Sequence, residues 1–151
     1  MKLGVICDGI SRDLSHALKV MDEFGLDYAE LQFVWDKEVG DHDASEIAQI
    51  KKLLDTHNKP VSCLSRHIFA GLTTASKAGD KDHTRHMDYL KRVIEMAHQL
   101  NCPLVRIMTS KKEQILWGTN GAEHWNVAKG AWDTLPPLIA PAVELARTEG
   151  V

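Results

Sequence analysis

Charged or ionisable side chains occur in or beside three short apolar segments that have the length and composition of buried β-strands. Glu30 interrupts one segment, Arg106 interrupts another, and Ser65-Arg66-His67 ends a third. A histidine at the end of a strand can bind a metal ion, orient a hydroxyl group or transfer a proton. These positions make Glu30, His67 and Arg106 candidate site residues.

The second segment shows how these side chains are oriented. In a strand, alternate residues point to opposite faces, which places Tyr28, Glu30 and Gln32 on one face and Ala29, Leu31 and Phe33 on the other. The apolar face is expected to pack against helices, so Glu30 and Gln32 point the other way, as does Arg106. A buried charge without a partner is very unfavourable. We therefore predict that Glu30 and Arg106 interact, either as a structural pair or as part of a site.

Other constellations carry less information. His83 and His86 have a spacing that permits metal chelation, but a chain with eight histidines also produces such pairs by chance. The sequence contains no GxGxxG, Walker, GxSxG or HExxH motif, which are the commonest indications of dinucleotide, nucleotide, serine hydrolase or zinc protease function. Cys7 and Cys63 fall in predicted strands and are interpreted as small buried side chains rather than nucleophiles.

The elements that position these residues are amphipathic helices alternating with short strands, a pattern typical of an α/β protein with a parallel sheet. Asp13 and Asp43 are predicted N-caps of the first two helices. Gly25, Asn58 and Asn101 are predicted to end the first three helices, because Gly and Asn tolerate the left-handed conformation there.

The fourth helix is harder to place. Pro136, Pro137 and Pro141 precede or interrupt its apolar pattern, and proline is favourable only in the first turn of a helix. The sequence therefore predicts a kink or a late start for this helix.

Counting the strand at residues 3–7 as the first, residues 1–151 contain four βα units in a single domain, and the pattern ends where a fifth strand is expected. An eight-unit barrel needs about 250 residues, so we expect the first four βα units of a TIM (β/α)8 barrel, with helices outside the sheet. A complete open sheet of four or five strands is the alternative.

The predicted βα loops are long, whereas the αβ connectors are only two residues each. The long loops cover residues 33–43, 68–82 and 110–133, and the third contains Trp117, Trp125 and Trp132. In barrels and in open α/β sheets, ligands bind at the carboxyl ends of the strands. These loops are therefore the predicted walls of the site, and the tryptophans either contact substrate or pack the loop down.

Composition restricts the function classes. The 18 Lys and Arg against 21 Asp and Glu give a formal charge of -3, which argues against binding duplex DNA through bulk electrostatics. The amino-terminal apolar run is too short for a signal peptide or a membrane span. Three cysteines without close spacing indicate reduced thiols and a cytoplasmic protein.

Several segments in order resemble one family. Residues 28–35, 43–58, 61–65, 104–107 and 144–151 are similar to the amino-terminal half of the sugar phosphate isomerase/epimerase family, the xylose isomerase-like TIM barrels. The resemblance implies a barrel, a divalent metal ion (Mn, Mg, Co or Zn), and proton transfer next to the carbonyl of a sugar or hydroxy-ketone through an enediolate.

The same resemblance divides the site residues. In that family the metal ligands come chiefly from the fifth to eighth strands, so we assign no metal ligand and no catalytic residue to this chain. Glu30, His67, Arg106 and Trp35 are the predicted substrate-binding residues. The chain alone is expected to be inactive and to bind metal weakly.

Two alternatives remain at this point. An apurinic-site endonuclease would share the barrel, but it uses histidines after the third and fourth strands, and here Met108-Thr109-Ser110 follows the fourth. A non-catalytic half-barrel would expose its edge strands and inner face, which favours association. We therefore also predict a homodimer, with neither nucleic acid nor membrane as a partner.

Overall fold

The computed structural model describes residues 1–73, 75–108 and 131–151. In chain order its strands are β1 (Gly4–Ile6), β2 (Tyr28–Leu31), β3 (Phe33–Val34), β4 (Lys37–Glu38), β5 (Val61–Ser65) and β6 (Val105–Arg106). The helices are α1 (Leu14–Glu23), α2 (Ala44–Thr56), α3 (Lys81–Gln99) and α4 (Ala131–Glu149), with a short 3-10 helix at Cys7–Gly9.

Four of the strands form one parallel sheet in the order β1-β2-β5-β6. Strands β3 and β4 form a separate antiparallel hairpin, which lies in the loop between β2 and α2. Helix α1 packs against α2, and α3 packs against α4. The predicted α/β architecture is confirmed, and this arrangement is that of a partial TIM barrel.

Local signals set the helix ends as predicted. The Asp13 side chain accepts a hydrogen bond from the Ser15 backbone, and Asp43 forms a reciprocal capping box with Glu46. Gly25, Asn58 and Asn101 all have positive φ angles where the chain leaves a helix. Helix α3 begins at Lys81, one residue before the predicted loop boundary at Asp82, because Asp80 is its N-cap.

Of the two alternatives predicted for the fourth helix, the late start is wrong and the kink stays a prediction. Helix α4 runs from Ala131 and contains Pro136, Pro137 and Pro141 in its interior. Each proline removes one helical N–H donor. Burial offsets this cost, because Leu138 and Ala142 are both 1% exposed and belong to the hydrophobic core.

The predicted faces of the second strand are confirmed only as far as Leu31. Ala29 and Leu31 are fully buried, but β2 ends there and the chain bends at Gln32. The alternation therefore shifts by one residue, so that Val34 is buried and Phe33 is not. The prediction that Phe33 faces the helices is wrong, since its ring lies beside His67 and beneath the Arg12 guanidinium.

The hydrophobic core combines the inner faces of the helices with the apolar sheet residues. Its largest fully buried side chains are Phe69, Leu14, Leu18, Met21, Leu31, Ile50, Leu64, Ile68, Leu90, Met96, Leu138 and Val34. No helix in the described part of the chain is both long enough and apolar enough to span a membrane.

Gly40 lets the loop after the hairpin pack closely on α3. It has φ of +88°, and a Cβ atom placed there would lie 2.8 Å from Val93 Cγ2 and 3.1 Å from the Val93 backbone nitrogen. Any side chain would therefore meet both backbone strain and a steric clash.

We predict that Gly40→Ala lowers the free energy of unfolding by about 2–5 kcal/mol, from left-handed strain and overpacking together. Gly71→Ala is the matched control, because Gly71 has φ of +92° but no atom within 4 Å of the added Cβ. The control should lose only the strain component, about 1–3 kcal/mol. Equal losses in urea denaturation would show that the Gly40 contact with α3 is unimportant.

Candidate functional site

Three polar side chains from adjacent strands meet near the carboxyl ends of the sheet. We call Glu30, Ser65 and Arg106 the strand-end cluster. Arg106 Nη1 lies 3.6 Å from Glu30 Oε1, and the Ser65 hydroxyl donates a hydrogen bond to the same oxygen. The predicted contact between Glu30 and Arg106 is therefore present, with Ser65 as a third member.

Strand register explains why these residues converge. Ser65 and Arg106 are paired neighbours on β5 and β6, and each is the last residue of its strand. Glu30 on β2 pairs with Cys63, two residues before Ser65 on the same face of β5. The side chains of Glu30 and Arg106 are 25% and 39% exposed, so the pair is accessible to a ligand.

A second group, which we call the His67 cluster, consists of Gln32, Glu38 and His67. The Glu38 carboxylate accepts hydrogen bonds from the His67 backbone N–H at 3.0 Å and from His67 Nδ1 at 2.8 Å. The Gln32 amide nitrogen lies 3.1 Å from His67 Nε2. The imidazole is 49% exposed, so a carboxylate orients a ring that remains open to solvent.

Arg66 holds the loop that carries Glu38. Its side chain is only 6% exposed and donates to the Val39 carbonyl at 2.6 Å and to Asp41 at 2.8 Å. Its Nε lies 3.4 Å from Glu38 Oε2, and its guanidinium stacks over the Tyr89 ring at 4.3 Å. The hairpin is thus tied to both β5 and α3.

Asp41 connects two arginines in the same region. It accepts hydrogen bonds from Arg66 and from Arg92, each at 2.8 Å. Burial alone would raise the pKa of Asp41, but the two guanidinium groups outweigh it and hold that pKa below its ordinary value.

Of the tryptophans singled out in the sequence, the structure describes Trp35 and Trp132. Trp35 has a positive φ of 54°, packs against the core, and meets the His42 ring edge-on at 6.0 Å between centroids. Its role as a substrate contact stays a prediction. Trp117 and Trp125 lie outside the described residues, and Trp132 is on α4 with 77% of its surface exposed.

The His83 and His86 pair is explained by packing. His83 Nδ1 accepts from the Gly79 N–H, and its Nε2 lies 2.9 Å from the Leu138 carbonyl. His86 Nδ1 accepts from the Phe69 N–H, and both imidazoles contact the Phe69 ring. These bonds join α3 to its preceding loop and to α4.

Cys7 and Cys102 are buried, and Cys63 is partly exposed beside Ser65. Burial, with smaller effects from Asp8 and Glu30, raises the pKa of the Cys7 thiol to about 12, which makes it a poor nucleophile.

Within residues 1–73, 75–108 and 131–151, no group of three or more His, Cys, Asp or Glu side chains could hold a metal ion. The donor set described therefore does not fit a metal centre.

Three residues of these clusters, Ser65, Glu38 and Gln32, are not among the site residues predicted from the sequence, although Gln32 shares the predicted face of Glu30. Ser65 ends a predicted strand, but the ionisable residues at that strand end are its neighbours Arg66 and His67. Glu38 lies in a predicted loop wall, and its contact with His67 joins positions 29 residues apart. No local pattern indicates such a contact.

A cavity lies at the opposite end of the sheet. It has a volume of about 350 Å³ and is lined by Lys2, Asp27, His57, Lys59 and their neighbours. The polar groups here are already engaged, because Asp22 pairs with both His57 and Lys59, at 2.5 Å and 2.9 Å. In barrels this end contributes to stability, so we place the candidate site at the carboxyl ends.

Comparison with known proteins agrees with this architecture. A family profile described as xylose isomerase-like TIM barrel matches residues 18–151. The chain belongs to that family. Among curated proteins, none matches the sequence significantly.

A solved structure shares the family fold. It is the apo form of 3-keto-D-glucoside 4-epimerase, YcjR, from E. coli, with a TM-score of 0.57 and 13% sequence identity. The match covers 99% of this chain and 52% of the epimerase, so the chain spans about half the length of that protein. At this identity the likeness shows the fold alone.

The pKa of Asp41 predicts how acid affects the loop. A carboxyl group whose pKa is lower in the folded state stabilises the protein above its unfolded pKa of about 3.9 and loses that contribution as the pH falls. We therefore expect wild type to exceed Asp41→Asn in stability near neutral pH, with the difference shrinking below about pH 4.

Chemical denaturation as a function of pH measures this difference. Asp36→Asn, at an exposed position in the neighbouring β3–β4 hairpin, controls for removing an acidic side chain from this part of the chain. A wild-type advantage over Asp41→Asn that grows on acidification would contradict the assigned role of the two arginines.

Proposed function

We propose that this chain supplies the first-half wall of the substrate site of a sugar isomerase or epimerase. The observation that carries the proposal is the convergence of Glu30, Ser65 and Arg106 from three neighbouring strands at their carboxyl ends. Membership of the xylose isomerase-like family and the epimerase with the same fold support this class of chemistry. The proposal includes proton transfer beside a sugar carbonyl through an enediolate. It also treats this chain as the first half of the barrel.

The strand-end cluster has the hydrogen-bonding capacity that a polyhydroxylated ligand needs. The Glu30 carboxylate accepts from hydroxyl groups, and the Arg106 guanidinium donates to hydroxyl or carbonyl oxygens. Arg106 Nε is buried without a hydrogen-bond partner in the part of the chain that the structure describes. Among the described residues this guanidinium is satisfied only in part, and its side chain is 39% exposed, so its other N–H groups can donate to a ligand oxygen.

The His67 cluster extends this surface toward solvent. The exposed imidazole and the Gln32 amide lie beyond the carboxyl end of β2 and β5, next to the Phe33 ring. Polar edges beside an aromatic face are suited to sugars, which present both hydroxyl and C–H groups. Trp35 stays a proposed contact at the edge of this surface.

A divalent metal ion is expected for the complete family site, but the described residues do not provide its ligands. We therefore derive no step through a metal, and we propose that these residues bind and orient the substrate.

A cytoplasmic location stays a prediction. The net charge of -3 continues to disfavour a nucleic-acid substrate.

Binding of simple sugars to the chain tests this function. For an aldose or ketose that binds the wild-type chain, we expect Arg106→Met to weaken binding about tenfold or more, since a charge-assisted hydrogen bond contributes about 1.5–3 kcal/mol. Titration calorimetry against phosphorylated and unphosphorylated sugars measures the affinity, and thermal denaturation confirms that each variant is folded.

Arg85→Met is the matched control, because Arg85 is an exposed arginine on α3 paired with Asp82. It should bind sugar as wild type does. Failure of every sugar to bind wild type, or equal effects of the two substitutions, would contradict the proposed role of the strand-end cluster.

Self-association is a second proposal, favoured by the edges of the sheet. Strands β1 and β6 each have one neighbour in the described sheet, and Leu3 and Leu104 beside them are 48% and 58% exposed. Unpaired strand edges with apolar neighbours favour association with another chain. We propose a homodimer formed through these edges.

The dimer is tested by light scattering at micromolar concentration. We expect the mass of two chains for wild type and a shift toward monomer for Leu104→Lys, which places a charge beside the β6 edge. Val143→Lys on the exposed surface of α4 is the control. A strictly monomeric wild type would contradict the proposal.

A further inference from the structure

We propose that Glu38 is a positioning residue that fixes the tautomer of His67. Its carboxylate holds the proton of the neutral imidazole on Nδ1, which leaves Nε2 as a hydrogen-bond acceptor for a hydroxyl group of the substrate. The part that concerns substrate rests on the function proposed above, whereas the tautomer is a property of the chain alone.

The contacts around the ring determine which nitrogen carries the proton. An ionised carboxylate only accepts hydrogen bonds, so the 2.8 Å contact between Glu38 Oε1 and His67 Nδ1 requires a proton on Nδ1. A neutral imidazole then has its lone pair on Nε2. The Gln32 amide nitrogen lies 3.1 Å from Nε2 and 3.3 Å from Nδ1, so it is against the ring face and not in line with that lone pair.

The carboxylate is well fixed in this position. Glu38 pairs with Phe33 in the β3–β4 hairpin, and the Val39 N–H donates to the Gln32 carbonyl, so one small turn joins both partners of His67. Arg66 Nε faces the second carboxylate oxygen at 3.4 Å. The side chain is 18% exposed and accepts two hydrogen bonds from one residue, which restricts its rotation.

This arrangement has a consequence for recognition. With Nδ1 occupied by Glu38, the neutral ring offers Nε2 only as an acceptor, which matches O–H and N–H groups and not carbonyl or phosphate oxygens. A substrate hydroxyl approaching in the plane of the ring, which is 49% exposed, would donate to the Nε2 lone pair. We therefore assign a substrate hydroxyl group, acting as a donor, to His67. Substrate oxygens that act as acceptors are assigned to Arg106.

Removing the carboxylate should change the tautomer. Without Glu38, no carboxylate among the described residues holds the proton on Nδ1, so the ring proton is free to move to Nε2. We expect Glu38→Ala to show this change and Asp36→Ala, an exposed acid in the same hairpin, to leave the wild-type tautomer unchanged.

Long-range proton–nitrogen correlation spectra of histidine rings measure the tautomer directly. They are recorded without sugar, in a buffer alkaline enough to keep imidazoles neutral, and His67→Gln identifies the His67 signals among the eight histidines. The unprotonated nitrogen resonates far downfield of the protonated one. We expect the downfield signal on Nε2 in wild type and on Nδ1 in Glu38→Ala.

A wild-type ring protonated on Nε2 would overturn the inference without recourse to any variant. So would a Glu38→Ala spectrum identical to wild type. Sugar is then added in a separate titration. A change in the His67 ring signals on binding supports the contact with substrate, whereas binding without such a change would refute that contact and leave the tautomer assignment intact.

Discussion

The loop between β2 and α2 depends on the buried guanidinium of Arg66. This one side chain donates to a backbone carbonyl and a carboxylate of the loop, faces the Glu38 carboxylate, and stacks on Tyr89 of α3. Removing one partner of a buried ion pair typically costs about 3–5 kcal/mol, because the remaining charge is left uncompensated. The position of the hairpin, and with it the environment of His67, therefore follows from satisfying one buried cation.

The tripeptide Ser65-Arg66-His67 couples this anchor to the candidate site. Ser65 contacts Glu30 of the strand-end cluster, Arg66 contacts the loop and α3, and His67 returns to the solvent side, where it meets Gln32. Because successive residues of an extended chain point in opposite directions, three adjacent positions serve both the support and the surface proposed to face the ligand. A binding site needs side chains that rigid neighbours hold in precise positions, and Arg66 provides that support beside His67.

Much of this architecture was predictable from the sequence because its signals are local. Asp13 and Asp43 cap helices within a few residues of themselves, and Gly25, Asn58 and Asn101 mark the connectors through their own backbone conformations. The pairing of Glu30 with Arg106 was also predictable, since strand alternation fixed their common face and burial required a partner.

The remaining features depend on contacts that sequence patterns do not contain. Phe33 lies beside His67 because the chain bends at Gln32, and Glu38 reaches His67 only once the hairpin has folded back on β5. Helix α4 continues through its prolines because Leu138 is buried against the rest of the core. In each case tertiary packing outweighed a local preference.

We propose that ligands bind at the carboxyl ends of the strands rather than in the cavity at the opposite end. Amide chemical-shift mapping during titration with a sugar that binds tests this most directly. We predict that the shift changes concentrate at Gln32, Ser65, His67 and Arg106. Changes concentrated at Gly25, Asn58 and Lys59, which line the opposite cavity, would contradict the claim.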